Sequence, residues 1–219
     1  MSTEETLDRP LRILIAHNAY QQRGGEDAVV EAEAELLRKH GHAVHRYDRH
    51  NDELLGPDSP GKLGLLRDLI WSRRTTKEIR ELIAKFRPDV IHVHNTLPLI
   101  SPSIYWEAAR ANVPVVQTLH NFRLVCPQAQ LTRNQKVCTE CVGKSTWRAV
   151  KYKCYRDSRA ASVASYLLIE IHRLIGTWKN KIAKYIILDE FARPIFESSG
   201  LPGKTTSCHR ARNCQSENR

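Results

Sequence analysis

Apolar and polar positions change their period several times along the chain, and each change marks an element. Arg12–His17 (RILIAH) is a short, almost continuous apolar run, the pattern of a strand buried on both faces. From Glu26 to His40 the period becomes helical: Ala28, Val29, Ala32, Leu36 and Leu37 recur on one side, and Gly41 closes the helix. His42–Tyr47 predicts a second strand. Residues 51–61, rich in Pro, Gly and Asp, read as a loop. Two helices follow, over 62–73 and 75–86, the second with Ile79, Leu82, Ile83 and Phe86 on one face and Pro88 as its stop. Asp89–Val93 predicts a third strand, Pro102–Ala111 a helix and Val113–Leu119 a fourth strand. Periodicity is then lost until about Asp157. It returns as a helix over Ser158–Lys181, with Val163, Leu167, Ile171, Leu174, Ile175 and Trp178 on its apolar face. Tyr185–Leu188 predicts a fifth strand and Glu190–Ser199 a last helix, ended by Gly200 and Pro202.

Short Val- and Ile-rich strands alternating with helices predict a parallel sheet covered on both faces. With right-handed crossovers this is a Rossmann-like, doubly wound α/β domain, spanning residues 11–201 behind a polar leader over 1–10. Ligands of such sheets bind beyond the carboxyl ends of the strands. The loops after strands one, three and four therefore hold the candidate chemistry.

Composition adds limits. Among 219 residues 41% are hydrophobic and 26% charged, which excludes disordered and fibrous classes. No apolar run reaches eighteen residues and the leader is polar, so neither a spanning helix nor a signal peptide is predicted, and a cytoplasmic location is expected. The tail over 202–219 has almost nothing to bury and predicts disorder. The net charge of +10 is concentrated: residues 121–184 hold thirteen basic and three acidic residues. Such a block suits an anionic partner or is a solvated basic surface.

Four groups of residues carry candidate chemistry. Gly24 and Gly25, between a strand and a helix N-terminus, can bring backbone N–H groups close to a phosphate, or can simply form a tight turn; Glu26 and Asp27 then complement the helix dipole. His120 and Asn121, just past strand four, can hydrogen-bond a sugar hydroxyl or move a proton, or be satisfied by backbone. His94 and Asn95, past strand three, carry the same two readings, whereas His92 alternates with apolar neighbours and reads as a buried structural residue. Cys126, Cys138, Cys141 and Cys154 stand as C-x11-C-x2-C-x12-C inside the aperiodic basic insertion of 121–157. Four thiolates can close a structural zinc site, with no position left open for catalysis; four free thiols are the alternative. The helix over 158–181, with basic residues and Trp178 beside its apolar face, is either a core helix with solvated ends or an interfacial membrane helix.

Taken in order, RILIAHNAYQQRGGEDAVV, the long stretch from RPDVIHVHNTLPL to VVQTLHNFRLVCP, and then KVCTECVGKS and KCYRDSRAAS resemble the amino-terminal domain of family 4 glycosyltransferases. The resemblance implies one half of a GT-B fold and transfer of a sugar from a nucleotide-sugar donor to a glycan or lipid-linked acceptor, with retention and without a catalytic metal. It implies that Gly24 and Gly25 face the donor and that His120 approaches the donor sugar as the catalytic histidine. Glu26, His94, Asn95 and Asn121 complete the binding set. Family members continue into a second Rossmann-like domain carrying a Glu pair spaced E-x7-E. Glu190 and Glu197, with six residues between them, do not match it. A truncated or frameshifted gene is expected, or a natural subunit that pairs with a donor-binding partner. The lipid-linked acceptor and the basic block together suggest peripheral contact with the anionic inner face of the cytoplasmic membrane. The rival reading is a non-catalytic module whose basic insertion grips nucleic acid or an acidic partner; no helix-turn-helix or RNP-like pattern supports it, and nucleic acid is not expected as a partner.

Overall fold

The computed structural model describes residues 9–54, 61–203 and 206–208. Its centre is a parallel sheet of β1 (Arg12–Ala19), β2 (Ala43–His50), β3 (Val90–Val93), β4 (Val115–Leu119) and β7 (Lys184–Ile187). β8 (Thr206–Cys208) extends its edge, giving the order β2-β1-β3-β4-β7-β8. These three residues lie in the tail for which the sequence predicts no structure; the unpaired edge of β7 supplies the partners for a short parallel ladder. The remainder of that tail and most of the polar leader lie outside the described residues.

Strand alternation sorts the core into two faces. On β1, Ile13 and Ile15 pack with Val30 and Ala34 of α1 (Gly25–Lys39). Leu14 and Ala16 point the other way, into the larger cluster with Ile79, Ile91, Val93, Ile104, Tyr105 and Trp178. α2 (Lys62–Ile70), α3 (Arg73–Phe86) and α4 (Ser103–Arg110) follow the sequence pattern closely. Ser72 caps α3 by accepting a hydrogen bond from the Thr75 N–H, and both residues are buried. The aperiodic insertion contains only a minimal hairpin, β5 (Thr132–Arg133) with β6 (Lys136–Val137), and the one-turn helix α5 (Arg148–Lys151).

The single helix expected over 158–181 is two helices, α6 (Arg159–Leu174) and α7 (Thr177–Asn180). Gly176 separates them in the left-handed region at φ 74°, a conformation that side chains disfavour. The break turns Trp178 inward. It is 5% exposed, and its indole N–H donates to the Ile169 carbonyl. Trp178 is therefore a core residue and not a membrane anchor. α8 (Arg193–Ser198) completes the chain of helices. Among the described residues no helix is long and apolar enough to cross a membrane.

The strand order reverses between β1 and β3, whose other neighbours are β2 and β4. At such a switch point the loops leave in opposite directions and open a crevice at the carboxyl ends.

Candidate functional site

A cleft of about 570 Å³ opens there. Its polar end is built from strand termini: Tyr20 and Gln21 after β1, His94 to Pro98 after β3, and Gln117 to Asn121 at the end of β4. The opposite wall is apolar, from Leu65, Leu66 and Leu69 of α2 and Ala161, Ala164 and Leu168 of α6. Arg123, Tyr155 and Arg156, at the two ends of the cysteine insertion, line a third side.

Beneath the polar end lies a layer of buried imidazoles. On β3, Ile91 and Val93 face the large core, so His92 and His94 face α1. Asp27, Val30, Glu33 and Ala34 come to the sheet at helical spacing. His17 is buried with Nε2 2.7 Å from Asp27 Oδ1. Glu33 serves two rings, with Oε1 2.6 Å from His92 Nδ1 and Oε2 3.5 Å from His94 Nε2. His92 Nε2 lies 2.8 Å from Thr118 Oγ1, which places this histidine where its alternation predicts, in a structural role. His94 Nδ1 lies 2.9 Å from His120 Nε2. One neutral ring donates its N–H to the other in this contact, the donor being set by the tautomers of the two imidazoles.

Glu33, His92 and His94 offer three ligand atoms within 4.8 Å of one another. The 2.6 Å separation of Glu33 Oε1 and His92 Nδ1 is that of a shared proton. Two donors about 2.0–2.2 Å from one metal stand farther apart. Glu33 is thus a hydrogen-bonding support for His92, with His94 Nε2 alongside at 3.5 Å and not hydrogen-bonded.

Burial decides the charge of these rings. Desolvation, reinforced by the neighbouring His92 and His120, holds His94 far below the usual histidine range. Desolvation first, and then the proximity of His17, lowers His120 to about 4, with the Glu33 carboxylate opposing the shift. Both imidazoles are neutral at pH 7. At the mouth, burial pushes the Glu26 carboxyl up, while Tyr20 donates to its Oε2 at 3.0 Å.

The structure thus brings His120, Asn121, His94, Asn95 and Glu26 to one cleft. Gly24 and Gly25 do not line it. Gly24 is the N-cap of α1, its N–H donating to Asp27 Oδ2 at 2.7 Å, and Gly25 opens the helix. Asn121 spends its carboxamide oxygen on the Arg123 N–H, and Asn95 donates to the Asn18 carbonyl at 2.9 Å. Sequence reasoning missed Asn18, which is fully buried and ties three loops together. Its carboxamide donates to Asn51 Oδ1 and accepts from the Leu99 N–H, both at 2.8 Å. It also missed Glu33 and the Arg123–Tyr155 pair, whose guanidinium lies 4.6 Å over the ring. The sequence signal for Asn18 is a polar residue ending an apolar strand; for Glu33 it is only a carboxylate on the sheet-facing side of α1. The four cysteines lie away from the cleft, around a second, small cavity.

A model of Glycosyltransferase Family 4 matches residues 23–166. Among solved structures, UDP-GlcNAc 2-epimerase from Neisseria meningitidis bound to UDP-GlcNAc superposes with a TM-score of 0.47 at 11% identity, over 90% of this chain and 45% of that one. HepE from Anabaena in complex with UDP gives 0.41 at 12%, over 90% and 43%. The chain spans less than half the length of these structures. No curated protein matches it.

Proposed function

The chain belongs to Glycosyltransferase Family 4, and from that premise we propose that its cleft is the acceptor-side half of a GT-B active site, for transfer of a sugar from a nucleotide-sugar to a glycan or lipid-linked acceptor. The observation that carries this reading is the shape of the cleft: a neutral His94–His120 pair at one end and an apolar helical wall at the other. Neutral imidazoles and carboxamides suit sugar hydroxyls, and Leu65, Leu69 and Ala164 suit the hydrocarbon of an amphipathic acceptor.

In this reading transfer proceeds with retention. The acceptor oxygen bonds to the anomeric carbon on the face the diphosphate leaves. As the carbon–diphosphate bond breaks, the acceptor's proton passes to the departing diphosphate. His120, uncharged, hydrogen-bonds the donor sugar as charge develops on its ring, an interaction worth most in the transition state. In this reading the nucleotide sits on a second Rossmann-like domain across the cleft. The rival nucleic-acid reading would stack bases on Trp147, Tyr152 and Tyr155, of which Trp147 is exposed. Arg133 lies 4.0 Å over Tyr152 and Arg123 4.6 Å over Tyr155, so the chain's own cations occupy those rings.

Calorimetric titration with short-chain polyprenyl-diphosphate sugars and soluble glycans tests the reading. One of these classes is expected to bind, at least tenfold more weakly to Ala164→Trp, which fills the cleft. Binding of neither class overturns the acceptor assignment.

A further inference from the structure

The geometry points to a structural zinc site at Cys126, Cys138, Cys141 and Cys154, which fixes the basic side of the cleft. All four cysteines are free, and all four line one cavity of about 20 Å³, room for a single ion and not for a small molecule. They come from three separate pieces of local structure. Cys126 is buried in a turn, its N–H donating to the Phe122 carbonyl. Cys138 follows the hairpin and is pinned by its N–H to Leu131 O, with Cys141 one turn later. Cys154 follows α5, its N–H donating to Ala149 O, while the Ala149 N–H donates to Thr146 O. Cys138 and Cys141 form the one C-x2-C pair, and Cys126 and Cys154 join it from separate parts of the chain.

The segment needs such a cross-link. Its regular structure amounts to two two-residue strands and one four-residue helix. Among the described residues, seven of the ten non-glycine residues with positive φ lie between Ala129 and Asp157. Each such residue is an unfavourable conformation that surrounding structure must hold. Val137 is 84% exposed, so the hairpin has little core of its own. A tetrathiolate zinc carries two negative charges, and Arg133 and Arg148, both paired with Glu140, line the same cavity. Around the cavity every trio of sulfurs includes a pair more than 4.8 Å apart, so coordination draws the side chains inward by rotamer changes.

The site has a consequence for the cleft. Arg123 lies three residues before the first ligand, and Tyr155 and Arg156 directly follow the last. These are the residues that form the cleft's third side, coupled by the Arg123–Tyr155 contact. The ion thus sets the spacing of a basic wall from outside the cleft.

Metal analysis of the full chain, purified under reducing conditions without chelator, is expected to give about one zinc per chain. Cys208→Ser with Cys214→Ser is expected to retain it, and Cys138→Ser to lose it. Cobalt substitution of the wild-type chain provides a measurement independent of whether the variant folds, with the visible spectrum of a tetrahedral thiolate site as the expected result. Zinc-free protein in which all six cysteine thiols titrate overturns the proposal. So do disulfides among the four found by mass spectrometry, a cobalt spectrum without thiolate bands, or metal that follows Cys208 and Cys214.

Discussion

His94, His120 and His172 are imidazoles from which the fold removes water, each held by a different partner. His172 places Nδ1 2.9 Å from Thr177 Oγ1 and donates Nε2–H to the Ile70 carbonyl, and burial lowers its pKa despite that carbonyl. All three therefore bind a proton less readily folded than unfolded. Below the unfolded value near 6.5 the unfolded chain takes up more protons, so native stability is complete above that pH and is lost as the pH falls. Each such histidine contributes a slope of at most about 1.4 kcal/mol per pH unit. Urea titrations are expected to show stability declining from pH 7 to pH 5, and an increase over that range would contradict the burial of these rings. The His120 ring in NMR titration is expected to half-protonate near pH 4. Glu33→Gln removes the one nearby charge that favours its protonated form, so the midpoint should move lower still. A midpoint near 6.5 in the native chain would place His120 in solvent and detach it from His94. With a donor-binding half supplied, His120→Ala should lower kcat more than it weakens acceptor binding, because the ring acts on developing charge. Unchanged kcat would leave it a structural residue.

Among the elements, the junction of α6 and α7 shows most directly what periodicity conceals. The apolar stripe of Val163, Leu167, Ile171 and Leu174 runs on to Trp178, so a reading of spacing alone continues the helix through Gly176. That glycine's left-handed backbone ends α6, and a Cβ there would stand 2.5 Å from Asn180 Nδ2. Gly176→Ala should cost about 1 kcal/mol by forcing a side chain into the left-handed region. A chemical-denaturation midpoint equal to the native chain's would mean that the two helices rejoin. The central strands β1, β3, β4 and β7 were legible because parallel strands buried on both faces read as plain apolar runs, and Gly41, Pro88 and Gly200 fall at element ends. His120 and Asn121 were legible for a related reason: a polar pair directly after such a run has to lie at the ligand-binding edge. The Glu33–His92–His94 layer was not. It joins residues about sixty positions apart, and their meeting depends on the order of the strands, which no local period encodes. Arg123, Tyr155 and Arg156 escaped because the insertion has no period, its conformation being set by turns and, on the proposal above, by an ion.

For the molecule as a whole, the unresolved consequence of sequence is its charge. Of the three acidic residues in 121–184, Glu140 is engaged by Arg133 and Arg148, and Glu170 by Arg173. Lys144, Lys151, Lys153, Lys179 and Lys184 remain exposed. Trp178 is withdrawn into the core, but other apolar side chains take its place at the surface. Leu174 is 87% exposed at the end of α6, Leu63 is 85% exposed on α2, which packs against α6, and Ile175 and Trp147 are also exposed. We propose that these exposed apolar side chains and lysines act together as a peripheral membrane surface; the apolar wall of the cleft belongs to the same two helices. Each lysine or arginine close to an anionic bilayer contributes about 1 kcal/mol, an attraction that fades within a Debye length of roughly 10 Å at 0.1 M salt. A handful acting together suffices for reversible attachment, and an acceptor embedded in that bilayer would then meet the apolar end of the cleft first. Cosedimentation should show the chain on vesicles containing phosphatidylglycerol and little of it on neutral phosphatidylcholine, with binding falling steeply as salt is raised. Leu174→Asp should weaken attachment at low salt, because it replaces an inserted side chain with a charge that the surface repels. Equal binding to both vesicle types, or to neither, would leave the basic block an ordinary solvated surface and would require the acceptor to be delivered to the cleft from solution.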